Sequence, residues 1–272
     1  MGAKKINGMY SPIRLAGKYL HYYLTAANGR GHGIHSPFVF DFITRVLNDR
    51  QNYPAYAPIE ELRRTLKRDS TLIEIEDMGA GSVHTAKKTR SIAAIARHAA
   101  KPPKLGQLLY RVARHYSPST ILELGTSLGL STAYLAAGAP QARLWTIEGA
   151  PAIADKARAN LSHLGETPGI VTGNFDTVLP ALIGQISPVE LAFIDGNHRY
   201  EPTVRYFDTI FRHAAPATAL IFDDIHWSAE METAWSTIRN DPRVYLTIDL
   251  FFIGLVFLRD EFKVKQDFII RY

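Results

Sequence analysis

The stretch T-I-L-E-L-G-T-S-L-G-L-S-T, residues 120–132, decides the fold. Ile121, Leu122 and Leu124 form the short apolar run of a strand buried on both faces. Gly125 to Gly129 make a tight loop, and Ser131-Thr132-Ala133 open a helix. Strand, glycine turn and helix start, in that order, begin a doubly wound α/β sheet. There the turn lies at the carboxyl edge of the strand, where glycines let a ligand approach the backbone and the helix N-terminus favours polar or anionic groups. A plain strand-to-helix turn has the same sequence features, so the neighbouring segments must decide.

The spacing is E-x-G-x-x-x-G, with Glu123 on the strand, and Ser127 stands where a dinucleotide fingerprint has its second glycine. This argues against a nicotinamide cofactor. About 20 residues on, the apolar run Leu144-Trp145-Thr146-Ile147 ends in Glu148, where an acidic side chain accepts hydrogen bonds from ribose hydroxyls. A glycine loop with a strand-end acid points to an adenosine-type ligand, S-adenosylmethionine first among them.

Strand and helix patterns then alternate. A helical segment spans roughly Ala152 to Leu164, and the strand Ile170-Val171-Thr172 runs into Gly173-Asn174-Phe175. Asn174 and Phe175 are candidates for contact with the base; a turn followed by a core aromatic is the other reading. Leu191 to Ile194 ends in Asp195, and Ala219 to Phe222 ends in Asp223-Asp224, so two strands deliver three carboxylates to one sheet edge. Val244 to Asp249 and Ile253 to Leu258 are too close for a crossover helix and should pair as an antiparallel hairpin.

Ahead of this core, Ser11-Pro12 and Ser36-Pro37 read as starts of two amphipathic helices with aromatic faces. They are suited to packing on the core, a dimer contact or a membrane surface. Between them His32 and His35 lie in a glycine-rich linker, open to a substrate-facing role or to none. Gly79 to Arg90 is small and basic and reads as a lid or a plain connection. Further helices are expected over Pro58 to Lys67, Ile92 to Ala99 and Gly106 to Tyr116.

Residues 1–118 carry 19 Lys/Arg against 8 Asp/Glu, and the remainder 12 against 18. The basic front portion suits an acidic partner, or simply solvated helix faces and attraction to the acidic remainder. No nucleic-acid motif accompanies it, so a nucleic-acid partner is not expected. No run of 18 apolar residues and no secretory pattern is present, and Gly2 lacks the Ser or Thr at position 6 that myristoylation uses. The chain has no cysteine, which excludes disulfides and thiolate metal sites and fits a cytoplasmic location.

Taken together, I-L-E-L-G-T-S-L-G-L-S (121–131), T-I-E (146–148), F-I-D-G-N-H (193–198) and F-D-D (222–224) resemble the class I S-adenosylmethionine-dependent methyltransferases, nearest to the catechol O-methyltransferase branch. The resemblance covers about residues 104–258. It implies a Rossmann-like seven-stranded α/β sheet of order 3-2-1-4-5-7-6 with the last strand antiparallel, forming a domain over 104–272 behind a helical extension over 1–103. It places Glu123, Gly125, Thr126, Ser127, Gly129 and Ser131 around the cofactor, with Glu148 on the ribose and Asn174, Phe175 and Asp195 nearby. Asp195, Asp223 and Asp224 fall where that branch holds a divalent cation, Asp224 replacing the usual asparagine.

His198 stands at the position of the family's catalytic lysine. An imidazole, with an ordinary pKa of about 6.5, can serve as general base, or it can merely fix the loop. The implied reaction is methyl transfer to a hydroxyl of a small-molecule acceptor, with Asp195 and His198 in the catalytic group. A metal-independent N- or carboxyl methyltransferase and a binding protein without turnover are the alternatives.

Overall fold

The computed structural model describes residues 8–31, 33–76, 87–98 and 101–272. His32 and residues 79–86 of the expected lid lie outside the described residues. In chain order the elements are α1 (Pro12–Thr25), α2 (Pro37–Phe42), a π-helical turn (Ile43–Leu47), α3 (Tyr56–Leu66), β1 (Leu72–Glu76), β2 (Lys87–Ser91), α4 (Ile92–His98) and α5 (Pro103–Tyr116). Next come β3 (Thr120–Leu124), α6 (Leu130–Gly138), β4 (Arg143–Glu148), α7 (Pro151–His163), β5 (Gly169–Thr172), α8 (Phe175–Ile186) and β6 (Val189–Ile194). The chain closes with α9 (Tyr200–Phe211), β7 (Ala214–Asp223), α10 (Ala229–Asn240), β8 (Leu246–Asp249), β9 (Ile253–Phe257) and β10 (Gln266–Ile269). Two compact units emerge: one is Arg45–Leu191, and the other joins the residues up to Thr44 with Ala192–Tyr272, so β6 is divided between them.

In the unit Arg45–Leu191 the strand order is β6-β3-β4-β5, with β3 parallel to β4 and β4 parallel to β5. All five residues of β3 are buried, as its unbroken apolar run requires of a strand covered on both faces. Helices α3 to α7 contribute a continuous apolar cluster that includes Ile59, Leu66, Ile95, Tyr134 and Leu161. β1 and β2 form a separate antiparallel ladder, which adds strands to a region read from sequence chiefly as helix and loop. Helix α8 follows β5, and its start is explained by Asn174, whose side chain accepts the Asp176 N–H as an N-cap.

In the other unit the order is β10-β8-β9-β7-β6. β9 runs antiparallel to both β7 and β8, the hairpin expected from the short spacing, while β10 adds an eighth strand parallel to β8. The seven expected strands thus occur in the expected order. The edge strand β10 escaped the sequence reading because Gln266-Asp267-Phe268-Ile269 is half polar, and its residues alternate between exposed and partly covered. Phe42 and Phe38 pack edge-on against Phe257, and α9 packs against α10. Ser11 caps α1 by accepting the Arg14 N–H, whereas Ser36 makes no such bond at α2, which gives way to the π-helical turn after six residues. Among the described residues no helix is long and apolar enough to cross a membrane.

Two glycines separate packing from propensity. An added Cβ at Gly106 of α5 would run into the Tyr134 ring of α6, while one at Gly184 of α8 meets nothing within 4 Å. Gly106→Ala should therefore lower stability by about 1–3 kcal/mol through overpacking, and Gly184→Ala should raise it by about 0.4–1 kcal/mol. Urea unfolding of the two variants checks both signs.

Candidate functional site

The loop after β3 is shaped by a carboxylate beneath it. Glu123 is 0% exposed, and its carboxylate accepts the hydroxyls of Thr132 on α6 and Thr146 on β4, the latter at 2.7 Å. Thr146 lies directly opposite Glu123 in the parallel register. Because the Thr146 proton goes to Glu123, the 2.6 Å contact between Thr146 and Thr126 runs with Thr126 as donor. Three hydroxyls and one carboxylate thereby pin two strands, the loop and the helix start to one another.

The loop's own backbone turns at Gly125 (φ 104°), Ser127 (φ 47°) and Gly129 (φ 84°). Gly129 suits glycine on two counts: its φ is positive, and an added Cβ would crowd Leu161 at 3.1 Å. Ser127, the departure from the dinucleotide fingerprint, occupies left-handed backbone space at some strain and donates its N–H to Glu148 at 2.8 Å. Glu148 also accepts the Ala150 N–H at 3.0 Å, so both carboxylate oxygens are oriented by backbone amides at the end of β4. Gly125, Ser127, Ser131, Glu148, Asn174 and Phe175 all retain partial exposure, whereas Glu123 and Thr126 are buried. Of the residues expected around a cofactor, Glu123 and Thr126 thus support the loop from within, and Asn174 has its side chain occupied as the α8 cap.

The other unit carries the acidic group. Asp195, just past β6, His198 and Asp223, at the end of β7, each present one ligand atom, and these atoms lie within 4.8 Å of one another. His198 Nε2 stands 3.4 Å from the Asp195 carboxylate. The turn that brings His198 back is held by Asn197, whose φ is 52° and whose amide donates to the Tyr206 hydroxyl at 3.1 Å.

Asp224, expected as third ligand, stands outside this group. Asp224 lies just past the end of β7, where the chain turns through φ 53° with its N–H on the Phe252 carbonyl at 2.7 Å. Its carbonyl accepts the Trp227 N–H, and Ser228 caps α10 by accepting the Met231 N–H.

Sequence reading passed over His226, two residues further on. Its Nδ1 lies 3.1 Å from Glu232 and its Nε2 2.8 Å from Asp249, with the ring stacked on Phe251. Burial disfavours the charged ring, but the hydrogen bonds and charges of Asp249 and then Glu232 outweigh it and hold the His226 pKa above its ordinary value. Burial likewise acts to raise the pKa of Glu232, yet hydrogen bonds from Tyr10, Lys18 and His226 keep it low. No local motif announces this cluster, because its members are brought together only by folding.

Residues 122–225 match the family model described as a methyltransferase domain. Two curated relatives are each a catechol O-methyltransferase. One, from Niastella koreensis, is 32% identical over 127 residues, which is 45% of this chain and 57% of that protein. The other, from Mycobacterium tuberculosis, is 35% identical over 123 residues, 44% of this chain and 54% of that protein. The chain therefore spans little more than half the length of the curated relatives it matches. Among solved structures, an S-adenosylhomocysteine-bound methyltransferase of Podospora anserina is similar in fold with a TM-score of 0.57 at 13% identity, covering 96% of this chain and 100% of that one. Residues 122–225 are thus similar to a methyltransferase domain, and the strand order is that of a Rossmann-like sheet.

Proposed function

We propose that the protein transfers the methyl group of S-adenosylmethionine to a hydroxyl oxygen of a small-molecule acceptor, with residues 104–272 as the catalytic module and 1–103 as its extension. The observation that carries the reading is Glu148, aimed by two backbone N–H groups at the end of β4 beside a glycine loop in which Gly125 and Ser127 retain partial exposure. A carboxylate so oriented suits the two ribose hydroxyls. The Gly125 and Thr126 N–H groups are taken by the Ile147 carbonyl, so the polar methionine end of the cofactor is left to the start of α6, whose helix N-terminus suits it. The relatives' description as catechol O-methyltransferases supports oxygen as the accepting atom and adjacent hydroxyls as the acceptor class.

Methyl transfer needs an acceptor oxygen in line behind the methyl group and relieved of its proton. Asp195 beside His198 forms a base with its orienting carboxylate: His198 takes the hydroxyl proton, and Asp195 stabilises the imidazolium that results. The same side chains, with Asp223, would suit a divalent cation, since they bring two carboxylates and one imidazole nitrogen within 4.8 Å of one another. Such an ion, when bound, would lower the pKa of the acceptor hydroxyl. The 3.4 Å pairing of His198 with Asp195 favours a second reading, in which the pair removes the proton with no cation at all.

Two measurements test the proposal. Glu148→Ala should weaken binding of S-adenosylhomocysteine, measured by calorimetry, by about 1.5–3 kcal/mol, the range for hydrogen bonds that involve a charged partner. Preference for NAD, or no effect of the substitution, would reject the cofactor reading. On a catechol acceptor, His198→Ala should reduce kcat about 10²–10⁴-fold while leaving S-adenosylhomocysteine affinity unchanged. The same assay in excess chelator separates the two readings of the acidic group: activity lost and restored by magnesium or manganese supports the cation, and full activity supports the Asp195–His198 pair alone.

A further inference from the structure

Helix α1 turns two different faces outward and inward. On the inner side Leu15, Tyr19, Tyr22 and Ala26 pack with Phe251. The Tyr22 hydroxyl donates to the Ile270 carbonyl, and both Lys18, at 2.9 Å, and the Tyr10 hydroxyl, at 2.7 Å, reach Glu232. These contacts hold the helix in one orientation. On the outer side Ile13, Leu20 and Leu24 are 87%, 58% and 69% exposed, with the exposed small residues Ala16 and Gly17 between them. The spacing 13, 17, 20, 24 keeps this apolar stripe on a single line along the helix. Tyr23 stands beside it, partly exposed and stacked under Arg271.

Charge identifies the partner. Residues 1–40 contain Lys4, Lys5, Arg14, Lys18 and Arg30 and not one Asp or Glu; the first acid of the chain is Asp41. Lys18 is already paired with Glu232, but a second copy docking stripe to stripe would still set Arg14 against its own kind with no Asp or Glu on the helix to answer it. An anionic lipid surface meets both properties at once, offering a place for three aliphatic side chains and negative charge for the flanking cations. At 14 residues α1 is about 21 Å long, too short to span a hydrocarbon core of about 30 Å, and one face is already committed to the protein.

We propose that α1 lies in the plane of an anionic lipid surface, with Ile13, Leu20 and Leu24 entering the interface and Arg14 at the headgroups. Because the helix is already formed and fixed from behind, binding requires no ordering of α1 itself. This proposal stands apart from the methyl-transfer reading and does not depend on it.

Sedimentation of the full chain with vesicles of phosphatidylcholine and phosphatidylglycerol in a three-to-one mixture should show binding, at least tenfold tighter than to phosphatidylcholine alone and weakened by added salt. The double variant Leu20→Gln, Leu24→Gln should bind at least tenfold more weakly with an unchanged thermal melt, since both side chains are already in water. Arg14→Gln should cost about fivefold, the contribution of one basic residue near such a surface. Absence of binding, or equal binding to neutral vesicles, would overturn the proposal. So would a light-scattering mass of two chains that falls to one in the double variant, which would assign the stripe to a second copy.

Discussion

A carboxylate with no access to water governs the glycine-loop unit. Glu123 sits at the end of a strand buried on both faces, where an ionised group is tolerated only if its oxygens are met by donors. Thr132 and Thr146 both donate to Oε2, and Thr126 extends the chain of protons outward to the loop. Leaving one such buried polar group without its partner costs on the order of 1–3 kcal/mol, a large share of the stability of a typical domain. The loop conformation is thus a consequence of burying Glu123. Gly125, Ser127 and Gly129 take up the positive φ values that the closed path from strand to helix demands, and the Ser127 N–H is left aimed at Glu148.

The second unit solves a related problem with a different side chain. The segment after β7 leaves the strand through Asp224 in left-handed space, and His226 then anchors it between Glu232 at the start of α10 and Asp249 at the end of β8. A charged imidazole between two carboxylates is compatible with its burial, which is why its pKa stays above the ordinary value despite desolvation. Tyr10 and Lys18 close the same cluster from the N-terminal segment. Holding this turn fixes where Asp223 ends, and so helps to define the group that Asp223 forms with Asp195 and His198.

Much of this was legible in the sequence. Apolar runs ending in Glu148, Asp195 and Asp223 located the strand ends, and the spacing of the last two runs dictated an antiparallel hairpin. The strands that carried weak patterns were missed or understated: β10 is half polar, and β2 is Lys-Lys-Thr-Arg-Ser, a composition that reads as loop until its partner Leu72–Glu76 is known. At the site, residue types were informative and side-chain directions were not. The family resemblance put Glu123 and Thr126 near a cofactor; both are buried here, with Thr146 opposite Glu123 in the register. The family resemblance put Asp224 with Asp195 and Asp223, whereas the group whose ligand atoms come together is Asp195, His198 and Asp223, Asp224 lying past the end of β7 in left-handed space. The His226 cluster draws on residues 10, 18, 226, 232 and 249, and no local pattern connects them.

The central claim is that the Glu148 carboxylate and the loop at Gly125 to Ser127 are a nucleoside-binding edge. A crystal of the protein soaked with S-adenosylhomocysteine tests it most directly. The account predicts both ribose hydroxyls within hydrogen-bond distance of Glu148 and the thioether end of the ligand along the glycine loop. Electron density for the ligand away from Glu148, or a ribose whose hydroxyls are met by other groups, would contradict it.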